Sequence, residues 1–149
     1  MFGISDGVSP IISYNYGAKN FKRVKEVMNF SYVASFLIGA IIFIFILLFK
    51  ENLIRLFISD NEAIIKIATS GITIFAFSYL INGFNIVTSA YFTSIGLAKE
   101  SIIIALSRGA IFTLIGIEIF PKLFSVNGIW MSVPFAEIIT LLICYYLLR

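Results

Sequence analysis

The sequence predicts an all-α integral membrane protein with one partial and four full spanning helices. Three observations carry that prediction. Hydrophobic residues make up 60% of the chain and charged residues 13%, with a mean hydropathy of +1.01. A soluble domain of 149 residues needs far more polar surface. Second, the charges gather at the ends of uncharged runs that reach the ~20 residues needed to cross a ~30 Å hydrocarbon core. Third, the basic residues are unevenly shared between the loops, as in chains whose topology is set by Lys and Arg.

Residues 1–18 are too short to span, so they read as a half-helix or a helix that begins upstream. Lys19, Lys22, Arg23 and Lys25 follow, against Glu26 alone. This basic loop is expected to be cytoplasmic. The run 27–49 is the first full span. Its later part, Ala40 to Phe49, is apolar all round. Its earlier part carries Ser31, Ser35 and Gly39, spaced for close approach of another helix. Lys50 to Lys66 is the first outside loop, where Lys50, Arg55 and Lys66 balance Glu51, Asp60 and Glu62. Within it, Leu53, Leu56 and Phe57 suit a short interfacial helix. Ser59 with Glu62 reads as a capping box that starts a new helix.

That helix is expected to run on uncharged from Ile67 to Ala98, with its span at 67–95. It is stopped by Gly96 and flanked by Lys99. The next span is 101–120, ended by Pro121 and Lys122. Asn127-Gly128 reads as a tight turn, with Trp130 at the level of an aromatic belt. The last span, 128–148, brings Tyr145, Tyr146 and the C-terminus to the cytoplasmic side. No linker, repeat or low-complexity stretch divides the chain, so 1–149 is one transmembrane domain.

Composition also narrows the chemistry. The single Cys144 and the absence of histidine leave no internal disulfide and no zinc or haem site. The net charge of +3 comes from residues at segment ends, which reads as topology rather than nucleic-acid binding. No phosphate-binding glycine loop is present, and Cys–His or Ser–His catalysis is impossible. An intramembrane aspartyl hydrolase would need to pair Asp6 with Glu137, and no hydrolase motif surrounds either. The chain is expected not to be an enzyme.

Two features point to transport. Gly71, Ser78, Asn82, Asn85, Ser89 and Thr93 fall within a stripe about 60° wide at 100° per residue. Amides are costly in lipid, so this stripe faces either a neighbouring helix or a wet cavity. Ionisable residues also stand inside the spans. Glu137 lies about ten residues into the last helix, near the bilayer midplane. Pro134 precedes it and is expected to free the Trp130 carbonyl and open the helix. A carboxylate beside such a break can hold a proton or a sodium ion, and the alternative is a structural ion pair. Asp6 repeats the pattern with Pro10. Arg108 is read either as a snorkelling or paired residue or as part of the substrate cavity, and Glu118 as solvated.

The ordered set of local motifs resembles one family. Gly3-Ile4-Ser5-Asp6-Gly7, Pro10, Ser13-Tyr14-Asn15-Tyr16-Gly17-Ala18-Lys19-Asn20 and Arg23-Val24-Lys25 are similar to a segment of the multidrug and toxic compound extrusion (MATE) family. In that family it closes the second helix of each six-helix lobe. Leu56-Phe57-Ile58-Ser59-Asp60, Gly96 with Lys99, Ser107-Arg108, and Asn127-Gly128-Ile129-Trp130 with Pro134 and Glu137 follow in the same order. The resemblance implies most of the C-terminal lobe of a twelve-helix exporter in the cell membrane. It implies small, cationic organic substrates, Na⁺ or H⁺ as coupling ion and no cofactor. Its partners would be membrane lipid and an N-terminal lobe in the same or another chain. The resemblance favours the cavity reading of the stripe, so Ser78, Asn82, Asn85, Ser89 and Arg108 are the expected cavity residues, and Glu137 and Asp6, singled out by their depth beside a proline, are the expected cation-coupling carboxylates. Two alternatives stand beside it: a lipid-linked polysaccharide flippase, which would want a strongly cationic cavity, and a transport-inactive truncated fragment.

Overall fold

Backbone geometry fixes the first corner. Helix α1 (Phe2–Gly17) ends at Ala18, Lys19 takes a left-handed φ of 57°, and Asn20 caps α2 (Phe21–Arg55) by accepting from the Arg23 amide. The computed structural model describes residues 1–58 and 61–149. At ~1.5 Å per residue the 35 residues of α2 outlast the ~30 Å hydrocarbon core. Leu53 therefore belongs to α2 itself, and the separate interfacial helix expected at Leu53–Phe57 does not form. Leu56 and Phe57 follow the helix as an exposed turn.

Helix α3 (Glu62–Ala76) starts at Asn61, whose Oδ1 accepts from the Ile64 amide at 3.2 Å. The expected cap at Ser59 lies outside the described residues. The single long helix expected from Ile67 is instead two. Helix α3 meets α4 (Ser78–Ser94) at Phe77 with a bend of 41°. No proline or glycine marks the break. The Ser78 hydroxyl donates to the Phe75 carbonyl at 2.6 Å and so satisfies a carbonyl next to the bend, the kind of local substitution that accompanies kinks. Gly96, at φ 83°, turns the chain as expected.

Helix α5 (Ala98–Leu106), a π-helical turn (Ser107–Ile111) and α6 (Phe112–Phe124) form one 27-residue rod. Pro121 lies inside α6 and does not end it. The corner is Ser125, at φ 53°, and α7 (Val126–Leu148) begins at once. Asn127-Gly128 is thus the first turn of α7, not a separate tight turn. Added bulk at Gly128 would strike the Phe120 carbonyl. Pro10 and Pro134 sit inside α1 and α7, which run through both. Neither proline ends its helix, and each lacks the N–H that would bond the carbonyl four residues back.

The described residues are all-helical, without strand. Three rods are long and apolar enough to cross a membrane, Phe21–Arg55, Ala98–Phe124 and Val126–Leu148, and the bent α3–α4 pair makes a fourth if it is one span. The small residues of α2 mark the central seam, as expected. Ser31, Ser35 and Gly39 are all buried. A Cβ on Gly83 would stand 2.6 Å from Ser35 Cβ, and one on Gly39 would strike the Tyr79 carbonyl. Helices α2 and α4 therefore touch backbone to backbone. Trp130 seats its ring on Gly71, joining α7 to α3. On the outer face, Ile41, Ile44, Phe45 and Leu48 are each at least half exposed, as a lipid-facing surface requires.

Candidate functional site

The most constrained polar group is Glu137. Ser132, Ala136, Glu137, Thr140 and Cys144 form the buried stripe of α7, which turns the carboxylate into the bundle at 3% exposure. Arg108 Nη2 and Nε donate to Oε1 at 2.8 and 3.3 Å. Asn85 Nδ2 donates to Oε2 at 2.7 Å and to the Glu137 backbone carbonyl at 2.9 Å. Both carboxylate oxygens are therefore occupied, one by a charge and one by an amide. A lone charge near the midplane costs ~2.5–3.5 kcal/mol on insertion scales. The pair removes the net charge and satisfies the remaining lone pairs, which is what a buried ion pair needs.

Arg108 reaches Glu137 from the π-helical turn. That turn leaves the Arg108 carbonyl accepting the Thr113 hydroxyl, five residues on, at 2.8 Å. Such widened turns recur where a helix must aim a functional side chain. The pairing was within reach of depth arithmetic. Arg108 lies about seven residues, and Glu137 about eleven, from the same end of the bundle. At ~1.5 Å per residue that offset is ~6 Å, within reach of an arginine side chain.

An open cavity of about 690 Å³ borders this cluster, lined by Asp6, Ser9, Asn82, Ser89, Arg108 and Glu137 among others. Five expected residues, Asp6, Asn82, Ser89, Arg108 and Glu137, are thus brought to one site. Asp6 is exposed and belongs to none of the ion pairs among the described residues. The polar stripe of α4 divides between the two roles open to it. Asn82, Ser89 and Thr93 line the cavity, and Ser89 and Thr93 share hydroxyl hydrogen bonds with Ser101 at 3.0 and 2.7 Å. Asn85 is fully buried against Glu137. Ser78 is buried at the Phe77 bend and is not part of the cavity wall. Pro134 borders a separate apolar groove with Phe77 and Phe120. Glu118 pairs with Lys122 on the exposed surface of α6.

Ser5, Ser9 and Thr113 also line the cavity and were not singled out from the sequence. The signal was available for the serines: Ser5 and Ser9 flank Asp6 at i, i+4 on one helical face. Among the described residues no three His, Cys, Asp or Glu side chains come together to hold a metal ion. Two buried amide oxygens, Asn82 Oδ1 and Asn85 Oδ1, have no hydrogen-bond partner among the described residues.

The MatE family profile matches residues 1–117. The chain is 27% identical over 146 residues to YoeA of Bacillus subtilis (strain 168), described as a probable multidrug resistance protein, covering 93% of this chain and 30% of that protein. It is 26% identical to the multidrug export protein MepA of Staphylococcus saprophyticus subsp. saprophyticus, covering 100% of this chain and 33% of MepA. Among solved structures, it superposes on an outward-facing multidrug resistance MATE family transporter of the MOP superfamily with a TM-score of 0.89 at 19% identity, covering 98% of this chain and 33% of that one. An inward-facing structure of the same family gives 0.88 at 18% identity, covering 96% and 33%. The chain spans about a third of the length of the proteins it matches.

Proposed function

The chain belongs to the MatE family, a family of multi-pass membrane transporters, and from that premise we propose that it forms most of the C-terminal lobe of a twelve-helix, cation-coupled exporter of small organic cations. In this reading residues 1–149 are one domain of one partial and four full spans, α3 and α4 together making one broken span. No cofactor takes part beyond Na⁺ or H⁺. The observation that carries the proposal is the cavity, whose wall sets the exposed carboxylate of Asp6 beside the neutralised Arg108–Glu137 pair. The near-equal superposition on outward- and inward-facing relatives supports a lobe that keeps its shape while the cavity changes sides. Cation and drug then need only favour different orientations.

Asp6 is the better placed of the two acids to meet a free cation, because it has no basic partner among the described residues. Glu137 would have to give up Arg108 before it could bind Na⁺ or accept H⁺, and that exchange would be the coupling step assigned to it. The test is cation-driven efflux of a fluorescent organic cation from vesicles, using the transporter that contains this chain. Asp6→Asn is expected to lower efflux at least about ten-fold at normal abundance, the loss of one charge-assisted contact. Glu137→Gln is expected to lower it if the exchange occurs. Efflux by Asp6→Asn equal to that of the unaltered protein would refute the role of Asp6. Normal efflux by Glu137→Gln would confine Glu137 to structure. A polysaccharide flippase is disfavoured, since the sole cation on the described cavity wall, Arg108, is already neutralised.

The proposed orientation places the basic α1–α2 turn and the C-terminus in the cytoplasm and Lys50 and Lys122 outside. Single cysteines at 22 and 50, with Cys144 replaced, report this directly. An impermeant maleimide applied to intact cells should label position 50 and spare position 22. The reverse pattern would invert the topology.

A further inference from the structure

We infer that the outer face of α2 carries a binding groove for one anionic phospholipid, with its headgroup at Lys25 and an acyl chain lying along the helix toward the bilayer centre. The inference rests on membrane insertion and not on transport. Lys25, Asn29, Tyr32 and Phe36 follow at i, i+4, i+7 and i+11, one stripe of α2. The first stretch of groove, about 360 Å³, is rimmed by Lys25 and Asn29 and walled by Val24, Met28, Tyr91 and Leu148. Tyr32 forms its floor and also the start of a second stretch of about 370 Å³, walled by Phe36, Leu37, Leu80 and Leu141. The two stretches meet at Tyr32, which lines both. Tyr32 is held in place by stacking on Phe84, ring centroids 4.4 Å apart, and by its hydroxyl contact with Thr88 at 3.0 Å.

The occupant follows from charge and length. Lys22 and Lys25 are exposed, and neither belongs to an ion pair among the described residues, because Arg23 takes the neighbouring Glu26 at 3.1 Å. A phosphodiester at this level meets the Lys25 ammonium and the Asn29 amide, with an aromatic rim at Tyr16 and Phe21, and the exposed Lys22 stands about one helical turn away on the same helix. Basic clusters at the mouth of interhelical grooves are the form that recognition of anionic headgroups takes. Beyond Asn29 the walls are apolar. From Lys25 to Leu37 is twelve residues, or ~18 Å of helix, close to the ~15 Å half-thickness of the hydrocarbon core. A peptide helix would leave the lysines uncompensated unless it carried acids there, whereas an anionic lipid matches both ends of the groove.

The test is native mass spectrometry of the purified transporter that contains this chain, titrated with dioleoyl phosphatidylglycerol or dioleoyl phosphatidylcholine. The unaltered transporter should retain phosphatidylglycerol on the order of twenty-fold more strongly, about five-fold for each of two lysines near the surface. Lys22→Gln with Lys25→Gln should abolish that preference while helix content stays unchanged. Leu141→Trp, which fills the groove without altering charge, should weaken phosphatidylglycerol retention roughly ten-fold, the loss of one or two buried methylene contacts. Equal retention of the two lipids, a preference that survives the lysine replacements, or indifference to Leu141→Trp would each overturn the proposal. So would a disulfide-linked dimer through a cysteine placed at Val33, which would show a second copy of the chain covering the groove.

Discussion

Arg108→Ala is expected to destabilise the helical bundle by about 3–5 kcal/mol, the range for stranding one member of a buried ion pair. The side chain of Glu137 is 4% exposed and that of Arg108 is 18% exposed, so the two single replacements are not equivalent. Without Arg108 the carboxylate keeps only the Asn85 amide and must either remain charged in a low dielectric or take up a proton. Without Glu137 the guanidinium can turn into the open cavity and recover water, so Glu137→Ala should cost less. The double replacement should cost less than the sum, because it strands neither charge. Unfolding in a mixed detergent–denaturant titration, followed by helical circular dichroism, measures all three. A cost below about 1 kcal/mol for Arg108→Ala would mean that Glu137 finds another partner, and the site would need redrawing.

The second large effect belongs to packing alone. Gly39→Leu should cost about 3 kcal/mol, the upper end of the range for overpacking. Even the Cβ would strike the Tyr79 carbonyl, and a backbone atom in a neighbouring helix cannot yield as a flexible side chain can. The α2–α4 seam would have to separate along its length. Gly7→Ala is the matched control. No described residue lies within 4 Å of its Cβ position, so the replacement should be neutral or stabilising by up to ~1 kcal/mol through helix propensity. If Gly39→Leu unfolds within about 0.5 kcal/mol of the unaltered chain, the seam is looser than the geometry requires.

Both effects were partly legible beforehand, for different reasons. The seam could be read because Ser31, Ser35 and Gly39 follow a helical repeat, and small residues at that spacing have few other uses inside a membrane. The spanning runs could be read because the bilayer fixes a length. The α4 stripe could also be read, but not how it is used. Periodicity assigns Asn82 and Asn85 to one face, and only tertiary position separates the amide that lines the cavity from the one that holds Glu137. The bend at Phe77 had no proline or glycine to announce it, whereas Pro10, Pro121 and Pro134 announced breaks that the helices do not take. Inside a bundle, neighbouring groups can supply what a proline removes, so composition alone overstates its effect. Pairing was legible for Arg108 and for Glu137 taken singly, but not the match between them, because each residue's own helix says nothing of which partner the other helices bring to it.

The π-helical turn at Ser107–Ile111 has a consequence for reading relatives of this chain. A turn closed by i→i+5 bonds holds one residue more than its α-helical equivalent. The rod before it and the rod after it are therefore out of phase by about one residue, or ~100°. A helical wheel drawn straight through from Ala98 misplaces Gly116, which in fact faces Ser132 of α7, where an added Cβ would come within 2.9 Å. A relative that lacks the turn should align with a single-residue gap between Leu106 and Phe112, and its residue at the Arg108 position would then point away from α7.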